Sequence, residues 1–270
     1  MRIALGIEYD GSGFCGWQTQ PSGCAVQNAL DAALSQIAAH PVQTQCAGRT
    51  DAGVHALEQV VHFDPSTQRP VSAWVRGVNT LLPPTIAVRW GREVPQEFHA
   101  RYSARGRAYV YLLRNRPPRP GLLHAHLGWH HRPLELDRMR AAARCLLGTH
   151  DFSAFRAAEC QARSAIKELR RAQIERHGDL IVFDFAADAF LHHMVRNLVG
   201  CLVQVGNGSR PPEWLRDVLD GRDRARAAPT FPAQGLYLTG VDYDPAWGLP
   251  ARATGAAEAV RALGLPALVS

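Results

Sequence analysis

The first nine residues, MRIALGIEY, alternate: Ile3, Leu5 and Ile7 fall on one side, Ala4, Gly6 and Glu8 on the other. A period of two predicts a strand over 1–9. After the glycine-rich stretch GSGFCGWQTQPSG the period changes. Val26, Leu30, Ala33, Leu34 and Ile37 recur at helical spacing, which predicts a helix over 26–39 ended by Pro41. Strands are predicted over 59–63, 86–92 and 107–114; the last, RAYVYLLR, is rich in aromatic and β-branched residues. A short helix over 74–81 stops at Pro83 and Pro84. The proline-rich run RNRPPRPG at 114–121 reads as a link between two halves. Beyond it come a helix over 136–147, strands over 169–176 and 180–186 around a turn of His177, Gly178 and Asp179, a long helix over 190–205, a short one over 212–220 and a final strand over 235–243. The expected domains are 1–113 and 114–245, followed by a peripheral tail at 246–270 rich in alanine, proline and glycine. Strands that favour hairpins over βαβ crossovers, with one or two helices in each half, predict an α+β fold with helices packed on one face of antiparallel sheet.

Charge adds a partner class. The chain of 270 residues carries a net charge of +6, and Lys167 is its only lysine among 30 basic residues. A positive field of this form suits a nucleic-acid partner, because arginine pairs two-pronged with phosphate and stacks on bases. The six cysteines form no Cys-x-x-Cys pair, so free, mostly buried thiols in a reducing compartment are expected, with no zinc knuckle. No apolar run is long enough to span a bilayer and the N-terminus does not read as a signal peptide, so a cytoplasmic protein with no membrane association is expected.

Candidate chemistry concentrates in CAGRTDAGVHA at 46–56. It places Asp51 in a glycine-flanked loop, with Arg49 two residues before it. Such a carboxylate can serve as nucleophile, general base or metal ligand. A nearby arginine favours its ionised form. Only His55 lies close in sequence as a further metal ligand. His124, His126, His130 and His131 crowd into HAHLGWHH, a potential transition-metal cluster, but with no accompanying carboxylate or cysteine set. On those grounds no metal is expected.

The loop CAGRTDAGVHA resembles the signature of the tRNA pseudouridine synthase A family. The segments ALGIEYDG with GWQ at 16–18, FHARYSARGRAYVY at 98–111, HHMVRNLVG at 192–200 and GLYL at 235–238 extend the resemblance over residues 3–243. It implies a pseudouridine synthase fold of two similar subdomains with a catalytic cleft between them. The implied activity is isomerisation of uridine to pseudouridine at positions 38, 39 and 40 of the tRNA anticodon stem-loop, by a homodimer without a cofactor. It further implies Asp51 as the catalytic residue, Arg49 as the residue that helps evict the base, and Arg196 as the partner charge of Asp51. Tyr109 would stack on the uracil and Leu236 would pack on its other side. RNA contacts are implied at Arg69, at Phe98, His99, Ala100, Arg101 and Tyr102, and at Glu159, Cys160, Gln161, Ala162 and Arg163. On the helical wheel Arg196 lines up with His192 and Gly200, and a glycine there is expected to leave room beside the guanidinium. The rival reading is a non-catalytic RNA-binding protein on the same scaffold.

Overall fold

The alternation at the N-terminus becomes strand β1 (Arg2–Tyr9) in the computed structural model, which describes residues 1–250 together with Val260 and Arg261. Glu8 stays exposed, but from Ile3 to Ile7 both faces of β1 are buried, where alternation alone predicts one open face. Small residues explain this. The space a side chain would take at Gly6 is filled by the Trp90 ring, 2.1 Å from where a Cβ would sit. Ala4 lies in a cluster with Ala47, Val60, Val94, Phe98, Ala100 and Val241. No helix among the described residues is long and apolar enough to cross a membrane.

The chain packs as two units, Met1–Arg105 with Tyr237–Thr254, and a second that includes Gly106–Leu236. The proline run at 114–121 therefore lies inside the second unit, and the last strand packs with the first. In the first unit β1 sits between β3 (His55–Phe63) and β4 (Ile86–Val94), antiparallel to both. The two-residue β2 (Gln45–Cys46), which pattern reading missed, adds to β3. The final strand, β10 (Leu236–Tyr243), runs parallel to β3, with Tyr237 opposite His55. Helix α1 (Val26–Ala38) ends where Ala39 turns left-handed, two residues before Pro41. The helix expected over 74–81 contains a π-turn, Ala73–Gly77, whose Trp74 stands edge-on to Phe63 at 5.2 Å. Of the expected tail, Trp247 and Leu249 pack on the Phe98 cluster; residues 251–259 and 262–270 lie outside the described residues.

In the second unit β5 (Ala104–Asn115), β9 (Leu180–Ala187), β8 (Ile166–His177) and β7 (Gly148–Asp151) form an antiparallel ladder in that order. The three-residue β6 (Gly128–His130) runs parallel to β5. The turn between β8 and β9 is the expected hairpin, with Gly178 at φ +60°, a value glycine adopts without strain. Helix α2 (Leu136–Ala143) is shorter than expected and passes into a 3-10 turn, Arg144–Leu146. Helix α3 (Met194–Gly206) begins four residues late, because His193 is left-handed at φ +62° and breaks the period. Helix α4 (Trp214–Gly221) completes the set.

The expectation of free thiols throughout fails at one pair: Cys15 and Cys24 form a disulfide, while Cys46, Cys145, Cys160 and Cys201 are unpaired. Spacing gave no warning, since the pair is brought together by backbone. The Cys15 N–H donates to the Cys24 carbonyl at 3.0 Å and closes the loop.

Asn197 on α3 organises the second unit. Its side-chain NH2 donates to the Phe155 carbonyl at 2.8 Å, and its oxygen accepts from the Thr230 hydroxyl at 2.7 Å and from Arg224 at 3.2 Å. It is fully buried, so truncation strands its partners without water. Asn197→Ala is expected to lower unfolding free energy by about 2–4 kcal/mol with an unchanged m-value in urea. A loss under about 0.5 kcal/mol would show that the network does not hold this unit.

Candidate active site

Asp51 follows a residue that is tied down on two sides. The buried Thr50 shares a 2.7 Å hydrogen bond between its hydroxyl and that of Tyr9 on β1, and its carbonyl accepts from the Trp17 N–H at 3.0 Å. After Asp51 the chain turns at once. The Val54 N–H donates to the Asp51 carbonyl at 3.1 Å, and Gly53 sits at φ +76°, the third position of a type II turn. At the other end of the loop the fully buried Gln59 accepts from the Gly48 N–H at 3.4 Å and donates to its carbonyl at 2.5 Å.

The segment beneath this loop is the glycine-rich stretch after β1. Gly16, at φ +100°, lies so close that a Cβ would meet the Thr50 carbonyl at 2.8 Å and the Asp51 carbonyl carbon at 3.1 Å. Gly11 abuts the Val54 carbonyl still more tightly, at 1.9 Å from a built Cβ. Trp17, fully buried, anchors the stretch, its ring 5.7 Å from that of Tyr9. Asp51 is half-buried and Arg49 exposed. Tyr9, Gly11, Gly16, Trp17 and Gln59 were not expected as support. Gly11 and Gly16 of GSGFCGWQ were the available signal, since glycine marks close backbone approach.

Two arginines lie near the start of the same loop. Burial pushes the Cys46 thiol up to about 11, and the charges of Arg49 and Arg101 both oppose that rise, so both lie near its sulfur. Of the expected RNA segment, Phe98 and Ala100 are fully buried in the Ala4 cluster, Phe98 against Tyr243 and Trp247. The exposed residues are Arg101 and Tyr102; the guanidinium carbon lies 5.7 Å over the Tyr102 ring, and Tyr102 is 75% exposed. His99 is half-buried and lies between the ring of His62, edge-on at 4.5 Å, and that of Tyr102, tilted at 4.3 Å. Arg69 is exposed elsewhere in this unit.

The second unit holds the other expected residues. Arg196 lies on α3, and its Nε–H donates to the Phe231 carbonyl at 2.8 Å while its own carbonyl accepts from the Phe231 N–H at 3.3 Å. Gly200 does not make room for a guanidinium, as the helical wheel suggested. The Pro229 carbonyl fills its space, 2.5 Å from a built Cβ. His192 precedes α3 and does not share a helical face with Arg196; its carbonyl accepts from the Ala157 N–H at 3.1 Å. The segment clamped along α3 then reaches β5. The Tyr111 hydroxyl donates to the Pro232 carbonyl at 2.8 Å, and the Leu112 N–H to that of Gly235 at 2.8 Å. Burial holds the Tyr111 phenol well above its usual range, and the Arg196 charge works against that. Tyr109, two residues along on the same face of β5, is buried and stands edge-on to Phe190 at 5.1 Å. Leu236 is buried immediately after Gly235. The unit thus sets Arg196 and Tyr111 against the strap 228–236, which ends at Leu236.

In the loop at 159–163, Cys160 is buried, Ala162 half-buried, and Glu159, Gln161 and Arg163 exposed. Arg156, missed as a candidate, shapes it by donating to the carbonyls of Cys160 and Ala162 at 2.6 and 3.0 Å. Among the described residues, no three of His124, His126, His130 and His131 converge as ligands on one point.

The sequence matches the family profile described as tRNA pseudouridine synthase over residues 6–103 and 142–244. The chain belongs to the tRNA pseudouridine synthase family. It is similar to the tRNA pseudouridine synthase A of Thiobacillus denitrificans, 62% identical over 250 residues, 93% of this chain and 96% of that one. The synthase of the same name from Dechloromonas aromatica is 59% identical over 250 residues, 93% and 95% of the two chains. That of Janthinobacterium is 58% identical over 255 residues, 92% and 94%. The fold is α+β, each unit mixing strands with helices.

The first unit of this synthase-family chain also contains a titration that bears on stability. The Nδ1 of the buried His62 accepts from the Ala100 N–H at 3.2 Å, so that nitrogen carries no proton. Burial, then the charges of His99 and Arg2, push the His62 pKa down from 6.5 to about 4. The unfolded chain therefore binds the extra proton first. The resulting loss of stability begins below pH 6.5 and is complete near pH 4. His62→Asn keeps an acceptor toward Ala100 but does not titrate. Urea unfolding at pH 7 and pH 5 is expected to show a smaller loss for the variant than for the wild type; equal losses would contradict the assignment.

Proposed function

We infer that this chain isomerises uridine to pseudouridine in tRNA, at positions 38, 39 and 40 of the anticodon stem-loop. The observation that carries the reading is the geometry of CAGRTDAGVHA: one carboxylate on a pinned turn, an exposed arginine two residues before it, and no other acid in the loop. Family membership and the names of the similar synthases support it.

The reaction breaks the N1–C1′ bond, turns the uracil and joins C5 to C1′. The C5 proton is released and N1 gains one, so the step is an isomerisation without net oxidation. Asp51 serves as the catalytic carboxylate, and a rigid backbone suits either nucleophilic or base chemistry. A base within a stem must first leave the stack, which takes a few kcal/mol. Arg49, exposed beside Asp51, is the residue to occupy the vacated place. Arg196 serves as the partner charge of Asp51, Tyr109 as the stacking ring and Leu236 as the apolar wall, as the family resemblance implies. Exposed Arg69, Arg101, Tyr102, Glu159, Gln161 and Arg163 carry the RNA contacts, with half-buried His99 supporting Tyr102. Buried Phe98, Ala100 and Cys160 shape those segments, and Ala162 contributes backbone. Activity at three neighbouring positions fits recognition of tRNA shape over sequence. The protein works in the cytoplasm as a homodimer.

Tritium release from C5-labelled uridine in tRNA transcripts tests the assignment. Wild type is expected to release label and Asp51→Ala to release none above background, with tRNA binding kept within about threefold because the carboxylate adds no attraction to phosphate. Equal release by both proteins would sink the role of Asp51. Binding without release by the wild type would instead favour the non-catalytic reading. Arg101→Ala is expected to weaken tRNA binding and to reduce the slope of log affinity against log salt by about one.

A further inference from the structure

We propose that Cys15 and Cys24 form a thiol–disulfide exchange site, open to small thiols and disulfides, whose redox state sets the stiffness of the Asp51 loop. The two half-cystines lie nine residues apart in sequence with Cα atoms 5.5 Å apart. Hydrogen bonds that need no sulfur bond hold that spacing. Cys15 N–H donates to the Cys24 carbonyl at 3.0 Å, Val26 N–H to that of Gly16 at 3.1 Å and Gln27 N–H to that of Trp17 at 3.0 Å. The reduced loop is thereby already folded for closure, within the range a disulfide spans.

The site is also accessible and polarised. Cys15 is exposed and Cys24 half-buried, and exposed disulfides are the exchangeable ones. The Ser22 hydroxyl donates to the Cys24 sulfur at 3.1 Å. An incoming thiolate attacks the open Cys15 sulfur, the S–S bond breaks, and the electron pair leaves on Cys24 as a thiolate stabilised by Ser22. A second small thiol then frees Cys15. Two electrons pass from the small thiols to the protein, and the small thiols leave joined as a disulfide. Oxidation by a small disulfide runs the same steps in reverse. The other thiols are poor competitors: Cys160 and Cys201 are buried, and burial raises the Cys145 thiol and pushes those of Cys46 and Cys201 up to about 11.

The link to the site is direct. Cys15 is followed by Gly16 and Trp17, whose backbone lies against Thr50 and Asp51, and Cys24 leads through Ala25 into α1. The sulfur bond ties that shelf to the start of the helix. Its effect on turnover rests on the reading of Asp51 as catalytic; exchange and stiffness do not.

The full-length protein is equilibrated with reduced and oxidised glutathione, quenched by alkylation and mapped by mass spectrometry. Cys15 and Cys24 are expected to exchange reversibly in the folded protein while the other four stay unlabelled, and Ser22→Ala is expected to slow reduction by about three- to tenfold. Amide exchange over 50–54 is expected to be about three- to tenfold faster in the reduced protein and in Cys15→Ser/Cys24→Ser. The kcat of the reduced protein on tRNA is expected to fall by about two- to fivefold with KM unchanged, and to return on oxidation. Exchange only under unfolding conditions, or an unchanged rate in Ser22→Ala, would overturn the exchange site. Equal amide exchange in the two states would overturn the coupling. Absent turnover in both states, with exchange and stiffening intact, would overturn the enzymatic reading alone.

Discussion

Thr50 fixes the chain one residue before Asp51, using its hydroxyl toward Tyr9 and its carbonyl toward Trp17. A loop is a poor platform for a reacting group unless its backbone is pinned. Ordering the five residues 50–54 opposes folding by about 5–10 kcal/mol. The three hydrogen bonds of Thr50 and Val54 contribute about 3 kcal/mol net. Complete burial of Trp17, with about 200 Å² of aromatic surface, contributes about 5 kcal/mol, less about 1–3 kcal/mol for its buried indole N–H, which has no hydrogen-bond partner among the described residues. The aromatic anchor outweighs any single hydrogen bond. The glycine-rich stretch therefore works as a fitted support, with Gly11 and Gly16 letting two backbones touch.

The same construction recurs within the second unit. There the strap 228–236 lies along α3 because Gly200 offers no side chain to the Pro229 carbonyl. It then meets β5 at Gly235, where a built Cβ would stand 2.4 Å from the Leu112 carbonyl. Asn197 and Arg196 hold the strap through polar contacts to Thr230 and Phe231. Each unit thus places its candidate residues by laying an irregular segment against a glycine. The regular strands supply the fixed reference.

This division explains what was legible in the sequence. Strands such as β5 and the β8–β9 hairpin were readable because side-chain periodicity and turn chemistry are local properties. The turn at Asp51 was readable too, because Asp-Ala-Gly is a local turn signal. Helix α3 was misread at its start because a single left-handed residue, His193, cancels a period that continues in composition through 190–193. Gly200 was assigned the wrong neighbour, because a helical wheel shows a helix's own residues and no other segment. The Cys15–Cys24 pair was invisible for the same reason, being set by the path of a loop. Phe98 and Ala100 share a segment with exposed Arg101 and Tyr102, and only packing separates the buried from the available.

The residue type at 196 follows from this packing. Its Nε is already engaged by the Phe231 carbonyl, and that contact keeps the strap on α3. A guanidinium has two further nitrogens on the same rigid plane, so holding the strap and presenting positive charge are compatible in one side chain. A lysine offers one nitrogen on a flexible stem. It would either hold Phe231 or direct its charge elsewhere, and the strap carrying Leu236 would loosen in the second case. The constraint at 196 is therefore on fork geometry as much as on charge, and it arises within the second unit before any substrate is considered.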